Sequence, residues 1–186
     1  MRGQPSKYNF HASNIMIAIY RHTMFGIAIF LSLITVTPVC IFRPFSSKNS
    51  RMFFAAFNFF GPFLARIEVD SCGMDKVLNL RPSVLVGNHQ HNIDALAVAQ
   101  IYSPYTVVLG KFQLGLIPYF GQIYVLAGNI LVKRGNRKQS MASMKMIEKK
   151  VKSKKLTIMV FPEGTRNPHK ELMPFKKGAF YTAVKT

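Results

Sequence analysis

Residues 24–42 form an apolar run that contains no charged side chain. Nineteen such positions come close to the length that a helix needs to span a bilayer. A shorter apolar run, residues 52–65, follows a basic break within residues 43–51. The pattern predicts a membrane-embedded or re-entrant helical hairpin, because an uncharged run of this length is unusual in a soluble chain. The alternative is a buried core hairpin of a soluble protein.

From about residue 81 onward, short apolar runs alternate with helical periods. The apolar runs predict strands at residues 83–87, 105–110, 130–133 and 156–161. The helical periods predict helices at residues 94–102 and 137–152, the second capped by Asn136 and carrying Met141, Met144, Ile147 and Val151 on one face. This alternation predicts an α/β domain in which helices cover a sheet.

The chain is strongly basic, with 25 Lys and Arg residues against 7 Asp and Glu residues. A charge this large predicts anionic partners, such as phosphates or anionic lipid. Residues 133–155 hold ten of the cations and one acid, which also raises a nucleic-acid hypothesis. We disfavour that hypothesis because no nucleic-acid motif accompanies the run and the first third of the chain is too apolar. The two cysteines, Cys40 and Cys72, form no disulfide framework and no metal-ligand pattern.

A histidine and an aspartate follow the first predicted strand, at His89 and Asp94. Loops at strand ends are where α/β folds place their chemistry. A carboxylate that pairs with an imidazole fixes its tautomer, and the second ring nitrogen can then act as a base. Such a base could take the proton of an alcohol that attacks a thioester, without a serine or cysteine nucleophile. His91 is a competing base, although it lies only three residues from Asp94.

The last predicted strand runs into Phe161-Pro162-Glu163-Gly164-Thr165-Arg166. Proline and glycine shape a tight turn, and Gly164 permits close approach of the backbone to a ligand. The guanidinium of Arg166 has the geometry to bind a phosphate with two hydrogen bonds. Glu163 could accept a hydrogen bond from a hydroxyl of the substrate, or it could hold Arg166.

Further cations are predicted near the same edge of the sheet. Arg134 ends the third predicted strand, and Lys176-Lys177 precedes an apolar helix start at Gly178. A helix N-terminus next to a lysine is a suitable phosphate site. Several anion-binding groups around one histidine–carboxylate pair suit an alcohol that carries a phosphate.

In this order, the motifs resemble those of the lysophosphatidic acid acyltransferase family (1-acylglycerol-3-phosphate acyltransferases). The first block is similar to residues 88–94, the second to residues 128–134, and the third matches residues 161–166 in full. Lys111 with Pro118 and Gly121, and residues 174–178, resemble flanking segments of the family.

The resemblance implies a glycerolipid acyltransferase-like α/β fold with His89 as general base and Asp94 as its partner. It implies acyl transfer from acyl-CoA to the sn-2 hydroxyl of lysophosphatidic acid, which gives phosphatidic acid, with no metal and no bound cofactor. The residues that we predict to bind the substrate are Arg134, Glu163, Gly164, Thr165, Arg166 and Lys177. Residues 1–66 would anchor the chain in a membrane, in animals usually that of the endoplasmic reticulum, and residues 67–186 would form the acyltransferase domain.

Two departures from the family pattern keep alternatives open. Lys133 stands where the family commonly has aspartate. This difference weakens the inference that the chain shares the family's preference for a particular acceptor. The family's fourth block, a Val- and Pro-rich strand, does not follow the Lys-Lys-Gly segment, so we expect residues 67–186 to be an incomplete domain of a fragment or shortened form. The alternatives are a catalytically silent membrane protein, or an acyltransferase that acts on glycerol 3-phosphate or another lysophospholipid.

Overall fold

The computed structural model describes residues 15–73, 76, 81–133, 137–167 and 171–186. Two long helices open this part of the chain, and an alternation of strands and helices follows. In chain order the elements are α1 (Ile15–Phe42), α2 (Ser47–Ala65), β1 (Ser83–Val86), α3 (Asp94–Gln100), β2 (Thr106–Lys111), a 3₁₀ helix (Phe112–Leu116), α4 (Phe120–Leu126), β3 (Ile130–Val132), α5 (Arg137–Lys154), β4 (Thr157–Val160) and α6 (Gly178–Lys185).

The four strands form one parallel sheet in the order β1-β4-β2-β3. Strand β4 lies between β1 and β2, with Val86 opposite Val160 and Val108 opposite Met159. All four strands were predicted within a residue or two of their observed ends, and the α/β fold class is confirmed. Because the strands are parallel, the segments that follow β1 and β4 leave the sheet at the same edge.

One face of the sheet is covered by α5. Val107 of β2, Ile158 of β4, and Ile147 and Val151 of α5 are each almost completely buried in one apolar cluster. The helical spacing predicted for this segment therefore marks its buried side. The side chain of Met144 packs against the same cluster.

The other face of the sheet is covered by α1, α2 and α3. Phe25 of α1 meets Phe57 of α2 edge to face, with ring centroids 5.4 Å apart. Both rings share a buried cluster with Leu96 of α3 and Met159 of β4. Leu96 also lies directly against Gly61, where a larger residue would collide with it. Helix α2 therefore packs closely against α3 at this glycine, in addition to its contact with α1.

A buried polar network connects α2 to the sheet. Ser50 of α2 donates a hydrogen bond to Oδ1 of Asn129 over 2.8 Å, and the backbone N–H of Val108 donates to the same oxygen over 2.9 Å. The Tyr102 hydroxyl joins this group, and burial raises its pKa well above the ordinary value for tyrosine. Buried polar groups that are mutually satisfied favour one arrangement of the surrounding elements.

The second motif block begins with Gly128, a position whose backbone conformation and close neighbours favour glycine. Its φ is +86°, and a side chain there would come within 3.0 Å of the backbone at Ser46, in the connection between α1 and α2. The same connection is tied down by a hydrogen bond from the Phe45 N–H to the Leu126 carbonyl over 2.7 Å. The turn between the two long helices is therefore docked on the α/β unit.

The two long helices differ from the prediction in where each begins. Helix α1 begins at Ile15, before the uncharged run. The polar, basic residues 48–51 lie inside α2 rather than in the break, which is limited to residues 43–46. By length and composition, Met16–Phe42 could cross a membrane. The membrane-embedded hairpin and the domain boundary after residue 66 stay predictions. Asn136, the expected cap of α5, lies outside the described residues.

Candidate active site

His89 and Asp94 form the centre of the site at the carboxyl edge of the sheet. His89 Nδ1 lies 2.8 Å from Asp94 Oδ2, and both side chains are about one quarter exposed. An ionised carboxylate only accepts hydrogen bonds, so Nδ1 carries the proton and the lone pair is on Nε2. The structure thus brings together the histidine and the carboxylate that the sequence paired.

Asp94 is held in place by backbone N–H groups of the loop that contains His89. Its Oδ2 also accepts hydrogen bonds from the backbone N–H groups of Gln90, over 2.7 Å, and His91, over 2.9 Å. Asp94 is the first residue of α3, where a carboxylate is additionally favoured by the helix dipole. Three donors on one oxygen restrict the carboxylate to a single orientation toward His89.

The loop that follows β4 supports His89 from the opposite side. The Phe161 ring stacks on the imidazole, with centroids 4.2 Å apart and planes 18° apart. The backbone N–H of Asn167 donates to the His89 carbonyl over 2.7 Å. The N–H of His89 donates to Oε1 of Glu163 over 3.0 Å. The backbone and the ring of His89 are therefore both held by the third motif block.

Glu163 is buried, with 2% of its surface exposed. Its Oε2 is enclosed and makes no hydrogen bond within the described part of the chain. Among the described residues no ion pair joins Glu163 to Arg166, so the alternative in which Glu163 holds Arg166 is not what the structure shows. The observed role of Glu163 is to hold the His89 backbone.

Arg166 is exposed at the rim of the site. Its Nη1 donates to Oδ1 of Asn92 over 2.8 Å, which links the third block to the loop between His89 and Asp94. Among the described residues this bond uses one of the five guanidinium N–H groups, and the others can meet an anion. Asn92 was not predicted as a site residue.

A cavity of about 470 Å³ adjoins the loop that follows β4, and its lining includes three lysines. Lys111 is the last residue of β2, and Lys133 follows β3. Lys176 lies with its Nζ close to the Cα of Gly164, where an added Cβ would be 2.7 Å away. The remaining lining residues are Phe112, Gln113 and Gln139. The Lys133 ammonium sits over the Phe112 ring at 4.5 Å. Three cations without an acidic neighbour in the lining make this cavity suited to an anion.

The remaining predicted substrate-binding residues fall in different places. Gly164 has φ +75°, a conformation that favours glycine, and it lines the cavity. Thr165 is exposed beside it. Lys177 occupies the position before α6 and is exposed. Lys176, which was predicted as a nearby cation but not placed in the substrate-binding set, lines the cavity. Arg134 lies outside the described residues.

Comparisons with known proteins show which proteins this chain is similar to. The acyltransferase family model matches residues 68–186. A 1-acyl-sn-glycerol-3-phosphate acyltransferase of Escherichia coli (strain K12) is 34% identical over 145 residues, which are 78% of this chain and 59% of that protein. The human 1-acyl-sn-glycerol-3-phosphate acyltransferase beta is 35% identical over 104 residues, 56% of this chain and 37% of that protein.

A solved structure shows the same fold. The crystal structure of the 1-acyl-sn-glycerophosphate acyltransferase PlsC from Thermotoga maritima superposes with a TM-score of 0.66 at 21% identity, covering 92% of this chain and 69% of that one. The match includes a parallel sheet with covering helices.

The fold and the site thus define an α/β protein with a His–Asp pair at the carboxyl edge of a parallel sheet. The chain belongs to the acyltransferase family, and the resemblance to its lysophosphatidic acid acyltransferases is confirmed. The chain spans 59% of the length of the bacterial relatives from Salmonella typhimurium and Escherichia coli.

Proposed function

We propose that this chain carries the catalytic site of a 1-acylglycerol-3-phosphate acyltransferase, which acylates the sn-2 hydroxyl of lysophosphatidic acid. The observation that supports it most is the His89–Asp94 pair, held at 2.8 Å and backed by the third motif block. Relatives that carry this activity by name support the same reaction.

The reaction follows from the tautomer of His89. Its Nε2 takes the proton of the acceptor hydroxyl as that oxygen attacks the thioester carbonyl carbon. The tetrahedral intermediate then collapses, the carbon–sulfur bond breaks, and the proton passes from Nε2 to the leaving thiolate. Asp94 stabilises the imidazolium between these two steps. We propose acyl-CoA as the donor, because a thioester supplies an activated acyl group without a protein nucleophile, metal or bound cofactor.

The cations near the site would hold the phosphate of the acceptor. Within the described part of the chain Arg166 uses one of its five N–H donors, and the cavity lined by Lys111, Lys133 and Lys176 lies on the same edge of the sheet. Charged hydrogen bonds of this kind are individually stronger than neutral ones. An acceptor without a phosphate would leave several cations without a counter-charge.

We further propose that α1 places the site at a membrane. Many large apolar residues of α1 and α2 are exposed, among them Ile27, Phe30, Ile34, Phe59 and Phe63. Tyr119 continues this surface, since its hydroxyl bonds to Thr37 over 2.8 Å. Because the turn after α1 is docked on the α/β unit, a helix lying along the bilayer surface or within one leaflet fits better than two full spans. The endoplasmic reticulum is the membrane that the family resemblance suggests.

The test is acyl transfer by the purified full chain in mixed micelles, with labelled acyl-CoA as donor. The acceptors are lysophosphatidic acid, glycerol 3-phosphate and lysophosphatidylcholine, and His89→Ala is the matched blank. Transfer to lysophosphatidic acid that the blank lacks supports the proposal. A preference for another acceptor would contradict the proposal that lysophosphatidic acid is the acceptor, while keeping the acyltransferase activity. Absence of transfer to all three in a folded chain supports a catalytically silent protein.

A further inference from the structure

The catalytic loop also contacts the first long helix. The ring of His91, in the loop between His89 and Asp94, meets the ring of His22 on α1 with centroids 5.3 Å apart and planes at 71°. This is an edge-to-face arrangement between two imidazoles. Residues 22 and 91 are both exposed, so the contact lies at the surface of the site, where α1 passes over the loop.

The His22 ring is oriented by its own helix. Its Nδ1 lies 2.7 Å from the carbonyl of Ala18, one turn earlier, so Nδ1 carries a proton and donates it to that oxygen. The ring is therefore fixed on α1 independently of His91. It presents a defined surface to the loop.

His91 connects its ring contact with His22 to the carboxylate of Asp94. Its backbone N–H donates to Asp94 Oδ2 over 2.9 Å, and its Nδ1 accepts a hydrogen bond from the Ile93 N–H at 3.4 Å. The His91 ring is thus folded over its own loop, and its backbone is one of the three donors that orient Asp94. A shift of His91 would move a hydrogen bond on the oxygen that also meets His89 Nδ1.

We propose that His22 is a positioning residue that braces the loop of residues 89–94 from the α1 side. The loop after β4 holds the other side, through Glu163 and Asn167 on His89 and through Arg166 on Asn92. His91 has no part in those contacts, and His22 supplies its ring partner within the described part of the chain. Helix α1 accordingly contributes to the geometry of the catalytic pair in addition to any role in anchoring.

The consequence for catalysis rests on the proposed acyltransferase function, but the brace itself does not. The first readout is therefore hydrogen–deuterium exchange of the amides of Gln90 and His91 in the purified full chain, because these two N–H groups bond to Asp94. We expect His22→Ala to raise their exchange rate about two- to tenfold, the range that loss of one aromatic edge contact gives. His22→Phe keeps an aromatic edge and should restore protection.

The second readout is the split between kcat and KM in the micelle assay. His22→Ala should lower kcat by about the same factor while KM for both substrates stays within twofold, and His22→Phe should recover most of the loss. Thr23→Ala, at the exposed neighbouring position on α1, is the matched control and should change neither readout. His22→Leu keeps bulk without an aromatic edge, so its comparison with His22→Phe serves if the alanine variant folds poorly.

Unchanged amide exchange in both His22→Ala and His22→Leu would overturn the proposal whatever the activity. Faster exchange with an unchanged kcat in an active wild type would also overturn the positioning role. If the wild type transfers no acyl group at all, the proposed function fails, while the exchange data still decide whether His22 braces the loop.

Discussion

The backbone N–H of His89 donates to Oε1 of Glu163 over 3.0 Å, which joins two residues 74 positions apart in the chain. The acid of the third motif block thereby fixes the histidine of the first. Glu163 is buried and its second carboxylate oxygen is enclosed. Its first effect is therefore on the position of His89, the proposed general base, and any contact with substrate would use the enclosed Oε2.

We expect Glu163→Gln and Glu163→Ala to differ. The glutamine retains an acceptor for the His89 N–H, so the free energy of unfolding should change little. The alanine leaves that donor without a partner in a poorly solvated place, which costs about 1–3 kcal/mol. Chemical denaturation of both variants, alongside kcat, checks this. Equal stability of the two variants would remove the structural role assigned to Glu163.

The second prediction concerns the base. His89→Ala should lower kcat by about 10²–10⁴-fold, the usual contribution of general base catalysis, with little change in stability. Asp94→Asn should also be severe, because an amide can present its NH₂ group to Nδ1 and favour the wrong tautomer. Single-turnover rates and thermal melts of both variants measure the effects. Near-normal turnover of His89→Ala would transfer the role of base to another group, with His91 the first to test.

The third prediction concerns Arg166. Arg166→Ala should raise KM for a phosphate-bearing acceptor more than KM for the acyl donor, since a charged hydrogen bond contributes about 1.5–3 kcal/mol. Asn92→Ala should give a smaller effect in the same direction, because it frees the guanidinium that Asn92 orients. Steady-state kinetics with each substrate varied in turn provide the comparison. Equal changes in both KM values would make the arginine structural.

The fourth prediction concerns the lysine-lined cavity. Lys176→Met and Lys111→Met should each raise KM for lysophosphatidic acid about two- to fivefold, a modest effect because these exposed charges are screened by solvent. This increase in KM should become smaller as the salt concentration rises. Lys185→Met, in the last turn of α6 and outside the cavity, is the matched control. A KM that is insensitive to both the cavity lysines and salt would separate the cavity from the acceptor phosphate.

The fifth prediction concerns the membrane. Deleting residues 1–66 would also remove α2, whose Ser50 and Phe57 belong to the buried structure, so the deletion would confound anchoring with folding. We expect Ile27→Glu with Ile34→Glu to leave the fold intact but to shift the chain into the carbonate-extractable fraction. A buried charge in a bilayer costs about 2.5–3.5 kcal/mol or more.

The control for that experiment is Met146→Glu, an exposed apolar position on α5, away from α1. It should leave the chain in the carbonate-resistant fraction. If the unmodified chain is already extracted by carbonate or high salt, α1 is not a stable membrane anchor.

The local pattern of this sequence determined much of the architecture. The helix segments were readable from an apolar period that reflects one buried face. The strand segments were readable as short apolar runs, because helices cover both faces of the sheet and β4 is buried throughout. The His89–Asp94 pair was also readable, since both residues lie in one short loop and the spacing allows them to meet. The third block marked a tight turn through its proline and glycine.

Only the tertiary structure decided which distant groups meet. The order β1-β4-β2-β3 places the two loops side by side, and a local pattern does not encode which strands are neighbours. The contacts of Glu163 with His89, Arg166 with Asn92 and His22 with His91 all depend on that order and on the packing of α1 across the sheet. Such contacts between distant parts of the chain form only when apolar faces are buried together, which no single segment can specify.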